Sequence, residues 1–177
     1  MIIVLEGIRK SGKTTFAGKL HDWGRKNSVP VFRFYDRELQ SYNVNQMEAN
    51  FVSCMQFAKA AFEVDSKLTM MKNEPIVLFD RFHISELIFG YYLRQYKSVK
   101  FMSQVDEYLA SRGAKLVLFD SETSDKRAKP GELLFRNDFI ENAKKSKMNE
   151  KLYVSFDDTD GKLSDDELEK IIQKLKF

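Results

Sequence analysis

The chain has 177 residues and a net charge of +3, from 29 basic and 26 acidic side chains. That fits one domain, at most with a small appendage, and excludes the strongly basic balance of a large nucleic-acid surface while leaving room for a local basic site. Hydrophobic residues reach 43%, with 15 Phe and 7 Tyr, enough for an aromatic-rich core, but no apolar run approaches the roughly 18 residues of a membrane span and the first residues lack a basic secretory leader.

Residues 1–5, MIIVL, predict a buried strand. Residues 7–14 follow as GIRKSGKT and fit G-x-x-x-x-G-K-[ST], a loop whose backbone N–H groups wrap a phosphate at the start of a helix. In such a loop Lys13 reaches the β- and γ-phosphates of ATP and the Thr14 hydroxyl reaches Mg²⁺. Gly7, Ser11, Gly12, Lys13, Thr14 and Thr15 are the expected nucleotide contacts. Two free positions of the loop hold the cations Arg9 and Lys10. The helix after the loop carries Phe16, Leu20 and Trp23.

Residues 29–35, VPVFRFY, predict a second strand, with Pro30 at its start, where proline is tolerated. Arg33 points to the opposite face from Phe32 and Phe34, which leaves its role open. The longest predicted helix covers about 43–72. One stripe runs Val44, Met47, Phe51, Met55, Ala58, Phe62, and another Phe57, Ala61, Val64, Leu68, Met71, so burial on more than one side is expected. The lone cysteine, Cys54, lies within it and cannot form an internal disulfide, which makes a reducing, cytoplasmic setting the expectation.

Residues 75–79, PIVLF, predict a third strand, and Asp80 follows it. An acid there holds Mg²⁺, directly or through water, or else caps the next helix; beside a phosphate loop the metal role is the expectation. His83 and Glu86 lie three apart on that helix and can face one side, as readers of a base or sugar hydroxyl or as an ordinary salt bridge. A helix over 98–112 is predicted to stop at Gly113. Residues 114–119, AKLVLF, predict a fourth strand.

Residues 120–135 gather Lys126, Arg127 and Lys129 ahead of Pro130-Gly131, with Arg136 after them. A mobile basic lid over about 121–137 would close on ATP; a solvated helix face and turn has the same charge pattern. Residues 152–156, LYVSF, predict a fifth strand. Ser164 and Glu167 form a capping box, and Leu168, Ile171, Ile172 and Leu175 line the last helix. Unbroken apolar runs alternating with helices predict an open α/β parallel sheet, whose ligands sit at the carboxyl ends of the strands.

EGIRKSGKTT at 6–15, RFYDR at 33–37 and DRFHIS at 80–85 resemble the thymidylate kinase family of P-loop nucleoside monophosphate kinases, which shows EGxDxxGK[ST]T, then RFPER or REP, then DR[YF]xxS. The resemblance implies a single kinase domain over 1–177 with the P-loop NTPase fold, a five-stranded parallel sheet flanked by helices. It implies transfer of the γ-phosphoryl group of ATP, with Mg²⁺, to a nucleoside monophosphate, thymidylate being the first to test. Thr14 and Asp80 would hold the metal. Arg81, and Arg37 from the other side, would grip the acceptor phosphate, since arginine can pair two hydrogen bonds onto one phosphate. Asp36 would orient metal or acceptor, Lys10 would face the phosphoryl group in transit, and Arg127 would join from the lid. Phe57 and Phe89 would wall the acceptor base. Arg37 as a solvated arginine and Phe57 as core packing are the competing readings. Relatives often dimerise through helices beside the third strand, and the stripes of the long helix permit a homodimer.

The departures from the family concern the acceptor. Arg9 stands where relatives keep an Asp for the acceptor sugar, Ala61 where they keep a base-reading Arg, and Phe89-Gly90 where they often have Tyr-Gln. Two alternatives follow: a kinase acting on a hydroxyl of a nucleoside or of DNA, and an ATP-binding module without turnover.

Overall fold

The computed structural model describes residues 1–8, 10–35, 47–68, 73–95, 97–120, 134–155 and 163–175. Five parallel strands, β1 (Ile2–Glu6), β2 (Val31–Tyr35), β3 (Ile76–Asp80), β4 (Lys115–Phe119) and β5 (Lys151–Val154), form one sheet in the order β2-β3-β1-β4-β5. The helices among the described residues are α1 (Lys13–Asn27), α2 (Met47–Leu68), α3 (His83–Arg94), α4 (Val99–Ser111), α5 (Arg136–Lys145) and α6 (Asp165–Lys174).

Every residue of β1, β3 and β4 is buried, which is why these strands read as unbroken apolar runs. Alternate side chains go to opposite faces. Ile3, Leu5, Leu78, Val117 and Phe119 pack with Phe16 and Leu20 of α1 and Leu168, Ile171 and Ile172 of α6. Val4, Val77, Phe79, Leu116 and Leu118 pack against α2 to α5. Each fully buried Leu, Ile or Phe contributes about 1.5–3 kcal/mol, so the two layers clamp the central strands. Helix α2 is buried on two sides, as its stripes predict. Cys54, Ala58 and Ala61 face the sheet side without exposure. Phe51 meets Phe101 at 4.9 Å between ring centroids, and Phe62 meets Tyr108 at 5.5 Å, both on α4.

Some boundaries move for local reasons. Strand β2 starts at Val31 rather than 29 because Ser28 turns left-handed and Val29 N–H closes α1 onto the Gly24 carbonyl at 2.8 Å. Helix α4 ends as predicted at Gly113: the N–H of Gly113 bonds the Ala110 carbonyl and that of Ala114 the Leu109 carbonyl, both at 3.1 Å, a complete Schellman motif. The capping box on α6 is present, with Ser164 and Glu167 bonding reciprocally. Helix α5 stands between β4 and β5, where the strand–helix alternation calls for one, but its bounds were not legible: only Phe139 and Ala143 on it are buried, too few to show a period. It begins at Arg136, inside the predicted lid, whose residues 121–133 lie outside the described ones. No described helix is long and apolar enough to cross a membrane.

The strand order reverses at β1. The chain goes from β1 to one side of the sheet and later crosses to β4 on the other. The crevice at the carboxyl end of β1 is therefore the expected ligand position.

Candidate active site

Gly7 leaves β1 with φ 133°, and a Cβ there would sit 2.2 Å from the Phe119 carbonyl oxygen of β4. Only glycine satisfies both the backbone angle and the contact. Lys10 (φ 61°) and Gly12 (φ 94°) are also left-handed, and Gly12 is the N-cap of α1. These reversals turn the described loop residues, 7–8 and 10–12, toward the N-terminus of α1, a geometry suited to a phosphate. The Ser11 hydroxyl donates to the Ile8 carbonyl at 2.9 Å. Lys13 is 4% exposed, and its ammonium spans the loop, donating to the Ile8 carbonyl at 2.5 Å and to Ser11 Oγ at 2.9 Å.

Asp80 ends β3 beside this loop. Its Oδ2 accepts a long hydrogen bond from the Thr14 hydroxyl at 3.4 Å and a second bond from the Arg33 guanidinium. A hydroxyl and one carboxylate are the hard oxygen donors that suit Mg²⁺, which takes few protein ligands and completes its shell with phosphates and water. The described residues contain no group of three or more His, Cys, Asp or Glu that would cage a metal by protein alone. The donor set thus fits the implied ion.

Asp80 does not cap the next helix. That work falls to Glu6, the last residue of β1, which is 0% exposed. One of its oxygens accepts the N–H groups of Phe82, Ile84 and Ser85 at 3.0 to 3.2 Å, and the other accepts the Ser85 hydroxyl at 2.5 Å. A carboxylate at a helix N-terminus is favoured by the unpaired N–H groups and the dipole there. Sequence reasoning missed this role; the one signal was an acid closing an apolar strand.

Arg81 follows Asp80 with φ 69°, its N–H donating to the Leu5 carbonyl at 2.9 Å. Its guanidinium lies 5.2 Å from the centre of the Phe89 ring. It also lines a shallow, open hollow together with Phe34, Tyr35, Phe57, Phe79 and Phe82. The rings brace one another: Phe79 and Phe82 at 4.2 Å, Phe34 and Phe79 at 5.4 Å, Phe34 and Phe57 at 5.8 Å. Phe57 therefore both packs and faces the hollow. Phe89 sits under Arg81 and against Phe135 and Phe139 rather than in the wall.

His83 and Glu86 do not pair with each other. His83 Nε2 lies 2.9 Å from Asp106 Oδ1 on α4. Asp106 also accepts the Ser146 hydroxyl and the Lys147 N–H, each at 2.6 Å. Burial pushes the Asp106 carboxyl up, but the hydrogen bond and attraction of His83, with those of Lys147 and Ser146, outweigh it and hold the group below its ordinary value. Glu86 accepts the Asn50 amide of α2 at 2.9 Å and the Arg94 guanidinium. Both residues tie helices together through other partners, so the salt bridge between them that their spacing allowed does not form.

Arg33 on Asp80 is the second site contact that sequence reasoning missed. Arg9, Asp36, Arg37 and Arg127 lie outside the described residues. Lys10 is exposed at the rim of the loop, and Thr15, the third residue of α1, is partly exposed. Past the loop, Arg136 forks onto Asp120, Nε to Oδ1 at 2.6 Å and Nη2 to Oδ2 at 3.1 Å.

No protein-family model matches the sequence, and no curated protein matches it either. Solved structures do match. The YorR protein of Bacillus subtilis, determined in complex with phosphorylated GDP, aligns over 99% of this chain and 95% of its own, with a TM-score of 0.61 and 19% identity. Thymidylate kinase from Ehrlichia chaffeensis aligns over 99% and 98%, with a TM-score of 0.63 and 18% identity. The likeness is one of fold: a five-stranded parallel sheet flanked by helices, shared with that thymidylate kinase and with YorR.

Proposed function

We propose that this protein is an ATP-dependent nucleotide kinase that phosphorylates a nucleoside monophosphate, with deoxynucleotides as the preferred class and thymidylate as the first acceptor to test. The observation that carries the reading is the divergence of two neighbouring side chains. Asp80 turns to Thr14 and the phosphate loop, while Arg81 turns to a hollow lined by aromatic rings. One residue step thus separates a donor-phosphate site from a pocket with a cation at its edge and flat apolar walls, the chemistry that suits a nucleoside monophosphate.

In this reading the loop amides and Lys13 hold the β- and γ-phosphates, and Thr14 and Asp80 hold Mg²⁺. The ion supplies neutralisation of the charge on the phosphate oxygens. Arg81 fixes the acceptor phosphate in line with the γ-phosphorus, and Phe57 walls the base. Arg37 grips the acceptor phosphate, Asp36 orients metal or acceptor, Lys10 and Arg127 add charge around the phosphoryl group in transit, and Arg9 takes the sequence position that relatives give to a sugar-reading acid. The transfer forms a bond from an acceptor phosphate oxygen to the γ-phosphorus and breaks the bond to the β–γ bridging oxygen, leaving ADP and a nucleoside diphosphate. Little covalent chemistry is asked of the protein, so positioning and cations supply most of the acceleration. The chain acts as one kinase domain on free nucleotides in the cytoplasm.

The test is incubation with ATP, Mg²⁺ and a panel of ribo- and deoxynucleoside monophosphates. Formation of a diphosphate from at least one is expected. A hydroxyl acceptor is the second reading, favoured by Ala61, which is fully buried where relatives place the base-reading arginine. Label passing from ATP to a nucleoside or an oligonucleotide, with none to any monophosphate, would replace the first reading by the second. ATP binding with no transfer at all would leave a non-catalytic module.

A further inference from the structure

We infer that Arg33 is a positioning residue of the metal site: a resident cation on Asp80 that withholds the carboxylate from a divalent ion until nucleotide phosphates arrive. The inference rests on the reading of Thr14 and Asp80 as the metal-holding pair.

Arg33 is in the middle of β2, paired in register with Leu78, while Tyr35 pairs with Asp80. Partners in a parallel register share a face, and Leu78 packs on the α1 side. Arg33, Tyr35 and Asp80 therefore point to the side from which Thr14 approaches. The guanidinium donates to Asp80 Oδ2, the same oxygen that the Thr14 hydroxyl reaches at 3.4 Å. The Tyr35 ring lies beneath, 4.0 Å from the guanidinium carbon to the ring centre, and holds it by cation–π attraction. The two side chains are only 16% and 6% exposed, so solvent screens the pair little.

The pair is also incomplete. Arg33 Nε is buried and finds no acceptor among the described residues. A guanidinium with an unused buried donor gains by moving to a partner that takes more of its fork. Glu6, another acid next to the loop, is committed to α3 and cannot serve. A bound polyphosphate offers what is missing: several anionic oxygens that accept two or more N–H groups at once. A guanidinium and a divalent ion claiming one carboxylate oxygen repel each other. Without nucleotide the tethered guanidinium keeps Asp80; with nucleotide it turns to the phosphates and Asp80 passes to the metal. Nucleotide and metal binding are then coupled, each strengthening the other by the same factor.

The experiment uses the full chain with Mn²⁺ as the metal, free Mn²⁺ being followed by electron paramagnetic resonance and the ternary complex with ADP by water-proton relaxation. Wild-type protein is expected to bind Mn²⁺ weakly alone and firmly with ADP. Arg33→Met is expected to bind Mn²⁺ at least tenfold more tightly without nucleotide, to show a smaller enhancement on adding ADP, and to lose the gain when Asp80→Asn is added. Arg33→Gln gives the same reading should Arg33→Met fail to fold. If wild type forms the ternary complex and a folded neutral variant at position 33 binds Mn²⁺ no more tightly than wild type, the inference is overturned and the metal-site reading stands. If wild type forms no ternary complex, both fall.

Discussion

The hydroxyl of Ser85 donates to Glu6 at 2.5 Å, and this contact joins the strand that feeds the phosphate loop to the helix that begins beside Arg81. With the three N–H groups on its other oxygen, Glu6 sets α3 relative to β1. Glu6→Ala leaves those donors buried without a partner. Hydrogen bonds to a charged group are worth about 1.5–3 kcal/mol each but do not add, so a loss of about 3 kcal/mol in unfolding free energy is expected. Urea unfolding checks it; a midpoint within error of wild type at unchanged slope contradicts the capping role.

Gly7→Ala places a methyl where the Phe119 carbonyl lies 2.2 Å away, at a φ of 133°. Neither backbone can yield without moving β4 or the loop. ATP binding is expected to weaken by at least about a hundredfold, roughly 2.7 kcal/mol, with a lowered melting temperature. Titration of a fluorescent ATP analogue measures the first and calorimetry the second.

Lys13→Ala, Asp80→Ala and Arg81→Ala are each expected to lower turnover tenfold or more, at least about 1.4 kcal/mol of transition-state stabilisation. The three should differ in kind. Arg81→Ala should also raise KM for the acceptor, whereas Lys13→Ala should act on the ATP side. Near-native turnover by folded Asp80→Ala would remove Asp80 from the metal site.

Asp106 sets an acid limit on stability. Its folded-state pKa is lowered, so the unfolded chain binds more protons as the pH approaches 3.8, the ordinary value. Its contribution is whole above that value and is lost as the pH falls through the lower, folded one. Asp106→Asn should therefore unfold more easily than wild type at neutral pH, and the gap between their urea midpoints should close under acid conditions. A gap that stays constant down to about pH 2 would show that the carboxylate's charge contributes nothing.

The fold was largely legible because its signals are local. A phosphate held by backbone needs fixed spacing, and a strand buried on both faces needs an unbroken apolar run, so β1, the loop and β3 could be read directly. The two stripes of α2 carried their own evidence of double burial. Arg33 was not legible. Alternation in VFRFY tells which face it takes, but its partner depends on β2 lying beside β3, a fact about strand order rather than spacing. Glu6 was hidden for the same reason, its partners being 76 to 79 residues away. His83 and Glu86 show the converse: three-residue spacing put them on one side of α3, yet His83 bonds Asp106 of α4 while Glu86 bonds Asn50 of α2 and Arg94 of its own helix.

Lys10 and Arg81 both hold left-handed backbone angles, φ 61° and 69°, conformations that cost a side-chain-bearing residue about 1–2 kcal/mol and glycine almost nothing. They are also two of the cations that the proposed reaction sets around the moving phosphate. A collection of variants selected for heat resistance alone would drift toward glycine at both positions and shed that charge in the same step. Endurance and catalysis pull on these two positions in opposite directions, so thermal selection on this protein needs an activity assay run beside it.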